Sequence, residues 1–241
     1  MDYILQKGYI RTCTNYARVL LENNFDSKVI TVAKHNDVEG LYENMQDYIA
    51  LVKEQRGWPH NLEPNTIQEL YEEKKLKFSV CIKNPYSWFH SVSKTGPSMH
   101  RPDLDNPWPV IGKFNERYKR WINIIEENKG SSYIFRHEDL MNSFEETMVD
   151  VHKELNLTKM MEEYSNEKRE VLGQHKGQKR IAYSAYSQNF NTQMMPLRRS
   201  GEPAFGISTF DRIREEIDWK VMEYYGYGEY NKDYEELYGV Q

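Results

Sequence analysis

Cysteine is scarce, two residues in 241, and that scarcity excludes a fold held by a disulfide framework. Cys13 and Cys81 both fall near the ends of strand-like segments, and a reducing compartment, read as the cytoplasm, suits them. Long apolar runs are missing as well. No stretch approaches the roughly 20 residues that span a bilayer, and the opening MDYILQKGYIRT has no basic segment followed by an apolar core. Neither a membrane partner nor export is expected. Positive charge is not in excess: 32 Lys and Arg face 37 Asp and Glu, for a formal net charge of −5. That balance excludes a general field of cations along nucleic acid phosphates, so any anion site must be local. No Cys, His, Asp or Glu grouping has metal-ligand spacing, no bound metal is expected, and His100, His152 and His175 read as scattered, exposed side chains. Linkers, repeats and low-complexity tracts are absent too, which leaves residues 1–241 as a single domain.

What is present is the composition of a folded chain, 39% hydrophobic and 29% charged. Short apolar runs at Tyr3–Leu5, Val29–Ala33, Phe78–Ile82 and Tyr133–Phe135 have strand length and are mostly β-branched or aromatic. Helical periodicity fills the intervals at Tyr16–Asn24, Leu41–Gln55, Thr66–Lys75 and Val110–Glu127, the last with Phe114, Tyr118, Trp121, Ile122 and Ile125 on one face. Ser143 and Glu146 have capping-box spacing ahead of a helix to Leu155. A last helix from Ser208 buries Phe210, Ile213, Ile217 and Val221 and stops at Gly226. Alternating strand and helix predict an α/β fold with a mainly parallel central sheet flanked by helices. Ser93–Pro109, with four prolines, and Gly173–Pro203 read as long loops.

Two segments carry candidate chemistry. Gly8-Tyr9-Ile10-Arg11-Thr12-Cys13-Thr14-Asn15-Tyr16 joins the first strand to the first helix. Such a turn offers free backbone amides and the positive end of a helix dipole to an anion, though Thr and Arg there also serve commonly as caps and surface contacts. It does not match the nucleotide-triphosphate loop G-x-x-x-x-G-K-[ST]. The second, Lys83-Asn84-Pro85-Tyr86-Ser87-Trp88-Phe89-His90-Ser91, directly follows the strand Phe78–Ile82 and could bring Lys83 and Ser91 to one phosphate.

Together these segments resemble the sulfotransferases that use 3′-phosphoadenosine-5′-phosphosulfate (PAPS), with the P-loop-like fold of that family. Gly8, Arg11, Thr12, Thr14, Asn15 and Tyr16 match its phosphosulfate loop G-x-P-[RK]-[ST]-G-T-[TN]-[WFY], with Cys13 where the family has Gly. Lys83, Asn84, Pro85 and Ser91 reproduce an R-[DN]-P element with its Ser eight residues on, Lys replacing Arg. Phe135-Arg136-His137-Glu138-Asp139-Leu140 is similar to a Y-E-D-L segment with His137 for Tyr, and Arg198-Arg199-Ser200-Gly201 to the loop over the 3′-phosphate. The four pieces come in family order over nearly the whole chain.

The resemblance implies that Arg11, Thr12, Cys13, Thr14 and Asn15 surround the 5′-phosphosulfate. Lys83, Ser91, Arg198, Arg199 and Gly201 would hold the 3′-phosphate, while Tyr16 and His137 lie against adenine. The transfer is metal-independent and in line, from PAPS to a hydroxyl or amine of a small-molecule or carbohydrate acceptor, and releases 3′-phosphoadenosine-5′-phosphate (PAP). Arg11 stabilises the leaving oxygen and His35, after the second strand, serves as base, with Glu39 and His90 in reserve. Cys13 sits where a helix N-terminus and Arg11 would make a thiol reactive, or is a small filler. Two other readings use the same residues: a P-loop kinase or nucleotide phosphotransferase, and a non-catalytic anion-binding module of the same fold.

Overall fold

The computed structural model describes residues 1–31, 64–95, 108–166, 171–172, 179–180, 195–197 and 202–239. The four short runs of strand character form one sheet in the order β2-β1-β3-β4, where β1 is Asp2–Gly8, β2 Ser27–Thr31, β3 Leu76–Ile82 and β4 Ser132–Arg136. Every pairing in it is parallel. A parallel sheet must be covered on both faces, because its crossovers bring helices to both sides. Strand alternation divides the apolar residues accordingly. Leu5, Ile30, Phe78, Val80 and Ile82 enter a large core with aromatic residues of the later helices. Ile4, Val29, Cys81 and Phe135 face a second core. The chain is thus α/β with a four-stranded parallel sheet flanked by helices.

The second core is closed by α1 (Thr14–Asn24) through Ala17, Leu20 and Leu21, and by α6 (Phe144–Glu154) through Met148 and Val151. Over the other face lie α2 (Pro64–Glu72), α3 (Pro85–Thr95) and α4 (Trp108–Glu127), with Ile67, Trp88, Phe114, Tyr118 and Trp121 directed into the core. Between β4 and α6, the short α5 (His137–Asn142) starts directly at the strand end. A two-stranded antiparallel pair joins β5 (Val171–Leu172) to β6 (Lys179–Arg180), the second of which falls inside the segment Gly173–Pro203 read as a long loop.

Several expectations change. Ser143 occupies the N-cap of α6 but makes no side-chain cap; its φ of −140° and ψ of 52° depart from the extended geometry that aims the hydroxyl at the next turn. The single last helix is two, α7 (Ile207–Glu216) and α8 (Trp219–Tyr224). Asp218 caps α8 by accepting from the Val221 amide at 3.2 Å. Asn115 of α4 takes both backbone groups the break exposes, donating to the Glu216 carbonyl at 2.7 Å and accepting from the Asp218 amide at 3.1 Å. All four residues expected inside, Phe210, Ile213, Ile217 and Val221, are buried. Gly226, at φ +80°, ends α8; a Cβ there would lie 2.7 Å from Nη1 of Arg136. A short 3₁₀ turn (Gly228–Tyr230) and α9 (Tyr234–Tyr238) follow. His152 is not exposed: it is half-buried, with Nδ1 3.1 Å from the Tyr164 hydroxyl. The helix expected over Leu41–Gln55, the end of the strand at Ala33, and His100 and His175 lie outside the described residues.

Candidate functional site

In a parallel sheet all strands end at one edge, and ligands bind where successive crossovers depart in opposite directions. Here that point is β1, which has β2 on one side and β3 on the other. Gly8 pairs with Cys81, and Ile82 with Arg136, so Tyr9, Lys83 and His137 leave the sheet at the same edge.

The loop from Gly8 to Cys13 is held on every side. Tyr9 is buried against the stacked rings of Trp88 and Phe114, with the Arg117 guanidinium 4.5 Å from its ring centre. Trp88 Nε1 donates to the Ile10 carbonyl at 2.9 Å, and Thr12 Oγ1 donates to the Tyr9 carbonyl at 2.6 Å. Tyr118 fixes the loop to the sheet: its hydroxyl donates to the Cys81 carbonyl at 2.7 Å and accepts from the Tyr9 amide at 3.4 Å. Gly8 is required by contact, since a Cβ there would stand 2.3 Å from Cγ2 of Thr14 and 3.0 Å from the Cys81 carbonyl oxygen. Arg11 and Cys13 both adopt the left-handed region, at φ 66° and 64°, at about 1–2 kcal/mol each for residues with a Cβ. Cys13 thus takes the conformation for which glycine would be best suited.

Cys13 is the N-cap of α1, and its carbonyl accepts the amides of Tyr16 and Ala17 at 2.9 and 3.0 Å. Among the described residues no acceptor takes the amides of Thr14 and Asn15, and no acidic side chain stands in the first turn. First-turn amides carry the positive end of the helix dipole.

The second segment explains itself locally. Asn84 Oδ1 accepts from the amides of Tyr86 at 3.0 Å and Ser87 at 3.3 Å, and Pro85 occupies the first turn of α3, where its missing N–H costs nothing. Asn-Pro at this point starts the helix immediately after Lys83, the first residue past the strand end. Lys83 is 9% exposed. Burial pulls its ammonium group below the ordinary lysine range; Glu138, and then Cys13, oppose that shift, while Arg11 adds to it. His137 is buried, and burial followed by the charge of Lys83 pushes its imidazole down to about 3. It is a neutral ring at any physiological pH. Glu138 is buried more completely, and burial holds its carboxyl above the usual carboxylate range.

These mutual effects bring Arg11, Cys13, Lys83, His137 and Glu138 into one electrostatic neighbourhood. Thr12 is fully buried and its single hydroxyl proton is used on Tyr9, so in this structure it shapes the loop. Thr14 is half-buried with its methyl group over Gly8, and Asn15 is exposed. Tyr16 packs against the second core and hydrogen-bonds Asn166 through its hydroxyl, which burial shifts upward. Ser91 stands half-buried on α3, and His90 lies edge-on to Phe205 with ring centres 5.5 Å apart. His35, Glu39, Arg198, Arg199 and Gly201 lie outside the described residues. Sequence reasoning placed Glu138 in the Y-E-D-L-like segment but gave no role to it or to Tyr227, whose hydroxyl donates to its carboxylate. The signals were that similarity and an acid placed immediately after a strand end, between His137 and Asp139.

The two readings of Cys13 separate here. Burial pushes its thiol well up, a hydrogen bond with Cys81 and the charge of Glu138 add to the shift, and Lys83 opposes it. Both cysteines are free thiols. Native protein at pH 7.5 should therefore react with the thiol reagent DTNB at least about tenfold more slowly than the same protein in guanidinium, because the thiolate is the reacting form. One thiol labelled at the denatured rate would restore the reactive reading.

Among the described residues no three His, Cys, Asp or Glu side chains are grouped to hold a metal ion, and no helix is long and apolar enough to cross a membrane. No protein-family model matches the chain, and no curated protein does.

Proposed function

We propose that the chain is a PAPS-dependent sulfotransferase of the P-loop-like sulfotransferase fold. The observation that carries this reading is the convergence, at the switch-point edge of the sheet, of three elements. They are the Arg11–Cys13 loop with the open amides of Thr14 and Asn15, the buried cation Lys83, and the neutral ring of His137. A single nucleotide with phosphates at its 3′ and 5′ positions and one base needs all three kinds of group. The amides and Arg11 suit the 5′-phosphosulfate, Lys83 suits the 3′-phosphate, and a ring that carries no charge at pH 7 suits adenine better than phosphate. Ser91, Arg198, Arg199, Gly201 and Tyr16 complete this assignment by resemblance.

Transfer then needs little covalent assistance. The acceptor oxygen or nitrogen forms a bond to sulfur while the bond from sulfur to the 5′-phosphate oxygen breaks, and the acceptor proton passes to a base, assigned to His35. Phosphate is a good leaving group. The largest contribution expected of the protein is positive charge placed where the bridging oxygen becomes anionic, a task assigned to Arg11 and the loop amides. The acceptor is a small molecule or carbohydrate.

Thermal melts test the proposal. PAP at about 100 times its Kd should raise unfolding free energy by roughly 2.7 kcal/mol and Tm by about 5–10 °C for a domain of this size, with EDTA present. ATP with Mg²⁺ should do little, having no 3′-phosphate. Stabilisation by ATP that depends on Mg²⁺, without any from PAP, would replace the reading by a kinase. No shift with any nucleotide would leave a non-catalytic module.

A further inference from the structure

Glu138 is 1% exposed and lies beside a site argued to bind anions, where a carboxylate repels the ligand. Its two oxygens are both engaged. Oε1 accepts from the Asn84 amide at 3.1 Å, and Oε2 accepts from the Tyr227 hydroxyl at 2.5 Å. The Asn84 amide belongs to the residue after Lys83, and the Asn84 side chain caps α3. One carboxylate on α5 therefore fixes the turn that carries Lys83 and ties it to the chain beyond α8. Buried carboxylates are costly unless their lone pairs are met and a cation is near; both conditions hold here.

We propose that Glu138 is a positioning residue of the nucleotide site, fixing the Lys83–Asn84–Pro85 turn and placing a negative charge beside Lys83 before any nucleotide arrives. This rests on the sulfotransferase reading only in naming the ligand. Lys83 is surrounded by opposing influences. Burial favours loss of its proton, Arg11 on the neighbouring loop repels it, and the neutral His137 offers it no counter-charge. Glu138 from α5, and to a lesser extent Cys13, favour the charged form. Glu138 in turn is faced by Lys83 and Tyr227, and it acts on Arg136, Tyr230 and Cys13. A bound phosphate would supply the negative charge that Glu138 supplies in its absence. The turn that carries Lys83 is thus fixed, with a counter-charge beside it, before the ligand arrives.

Glu138→Gln keeps the size of the side chain and an acceptor for the Asn84 amide but removes the charge. In ligand-free protein, the Lys83 Cε and Nζ signals followed by NMR should titrate at least about one pH unit lower in this variant than in wild type, as expected for loss of an opposite charge at close range. PAP affinity in the variant should correspondingly start to fall at lower pH. Coupling is reciprocal, so in Lys83→Met the Glu138 carboxyl signal should titrate higher than in wild type, a readout that does not require the Gln variant to fold. Unchanged titration of Lys83 in a folded Glu138→Gln protein, or of Glu138 in Lys83→Met, overturns the proposal. Failure of wild type to bind PAP at any pH overturns the sulfotransferase reading instead, while the two titrations still decide the role of Glu138.

Discussion

Lys83→Met should bind PAP about 10²-fold more weakly than wild type and leave affinity for adenosine 5′-phosphosulfate within about twofold, measured side by side by calorimetry. The two ligands differ by the 3′-phosphate, which is the group assigned to Lys83. Truncating one partner of a buried, hydrogen-bonded charge pair costs about 2–5 kcal/mol, and 10²-fold corresponds to about 2.7 kcal/mol, near the lower end. The lower end is appropriate because Arg198 and Arg199 are assigned to the same phosphate and would retain part of the attraction. Burial makes the effect large: at 9% exposure little water can replace the missing ammonium group. Equal loss of both ligands would mean that Lys83 supports the loop or the other phosphate.

Acid should destabilise the wild-type protein more steeply than a His137→Asn variant, by up to about 1.4 kcal/mol for each pH unit between roughly 6.5 and 3. The imidazole titrates near 6.5 in an unfolded chain and is pushed down to about 3 in the native fold, by burial first and the charge of Lys83 second. Within that window the unfolded chain binds a proton at His137 and the native state does not. Unfolding therefore takes up protons, and stability is complete above pH 6.5 and lost as pH falls toward 3. Glu138 acts in the opposite sense, since a carboxyl held above its ordinary range loses its contribution as pH rises through the folded value; it is present in both proteins and cancels in the comparison. Urea titrations at pH 7.5, 6, 5 and 4.5 give the two slopes. Parallel curves would show that His137 reaches solvent and protonates without unfolding.

The strands and the α/β class were legible because burial on both faces demands β-branched and aromatic runs such as Phe78–Ile82 and Ile134–Phe135. The turn at Asn84-Pro85 was legible as well, since its chemistry lies within four residues. Position 13, read as a glycine site filled by Cys, is indeed left-handed. What escaped depends on partners far away in sequence. Glu138 is defined by Asn84, 54 residues before it, and by Tyr227, 89 residues after it. The break between α7 and α8 requires Asn115 of α4, and periodicity alone continues straight through it. Ser143 and Glu146 had the spacing of a cap, but backbone angles at Ser143 decide whether a hydroxyl reaches the next turn.

Because every strand of the main sheet runs the same way, no two neighbours can be joined by a hairpin, and each pairing must close a long loop before it gains anything. Folding should then be slow and strongly non-local. The strand edge is a late product of it: Asn84, next to Lys83, is held from Glu138, and Glu138 from Tyr227, so a chain emerging from the ribosome cannot complete this corner until Tyr227 has been made. A protein cut off before α8 would keep all four strands yet leave the Glu138 carboxylate with one oxygen unmet in the interior.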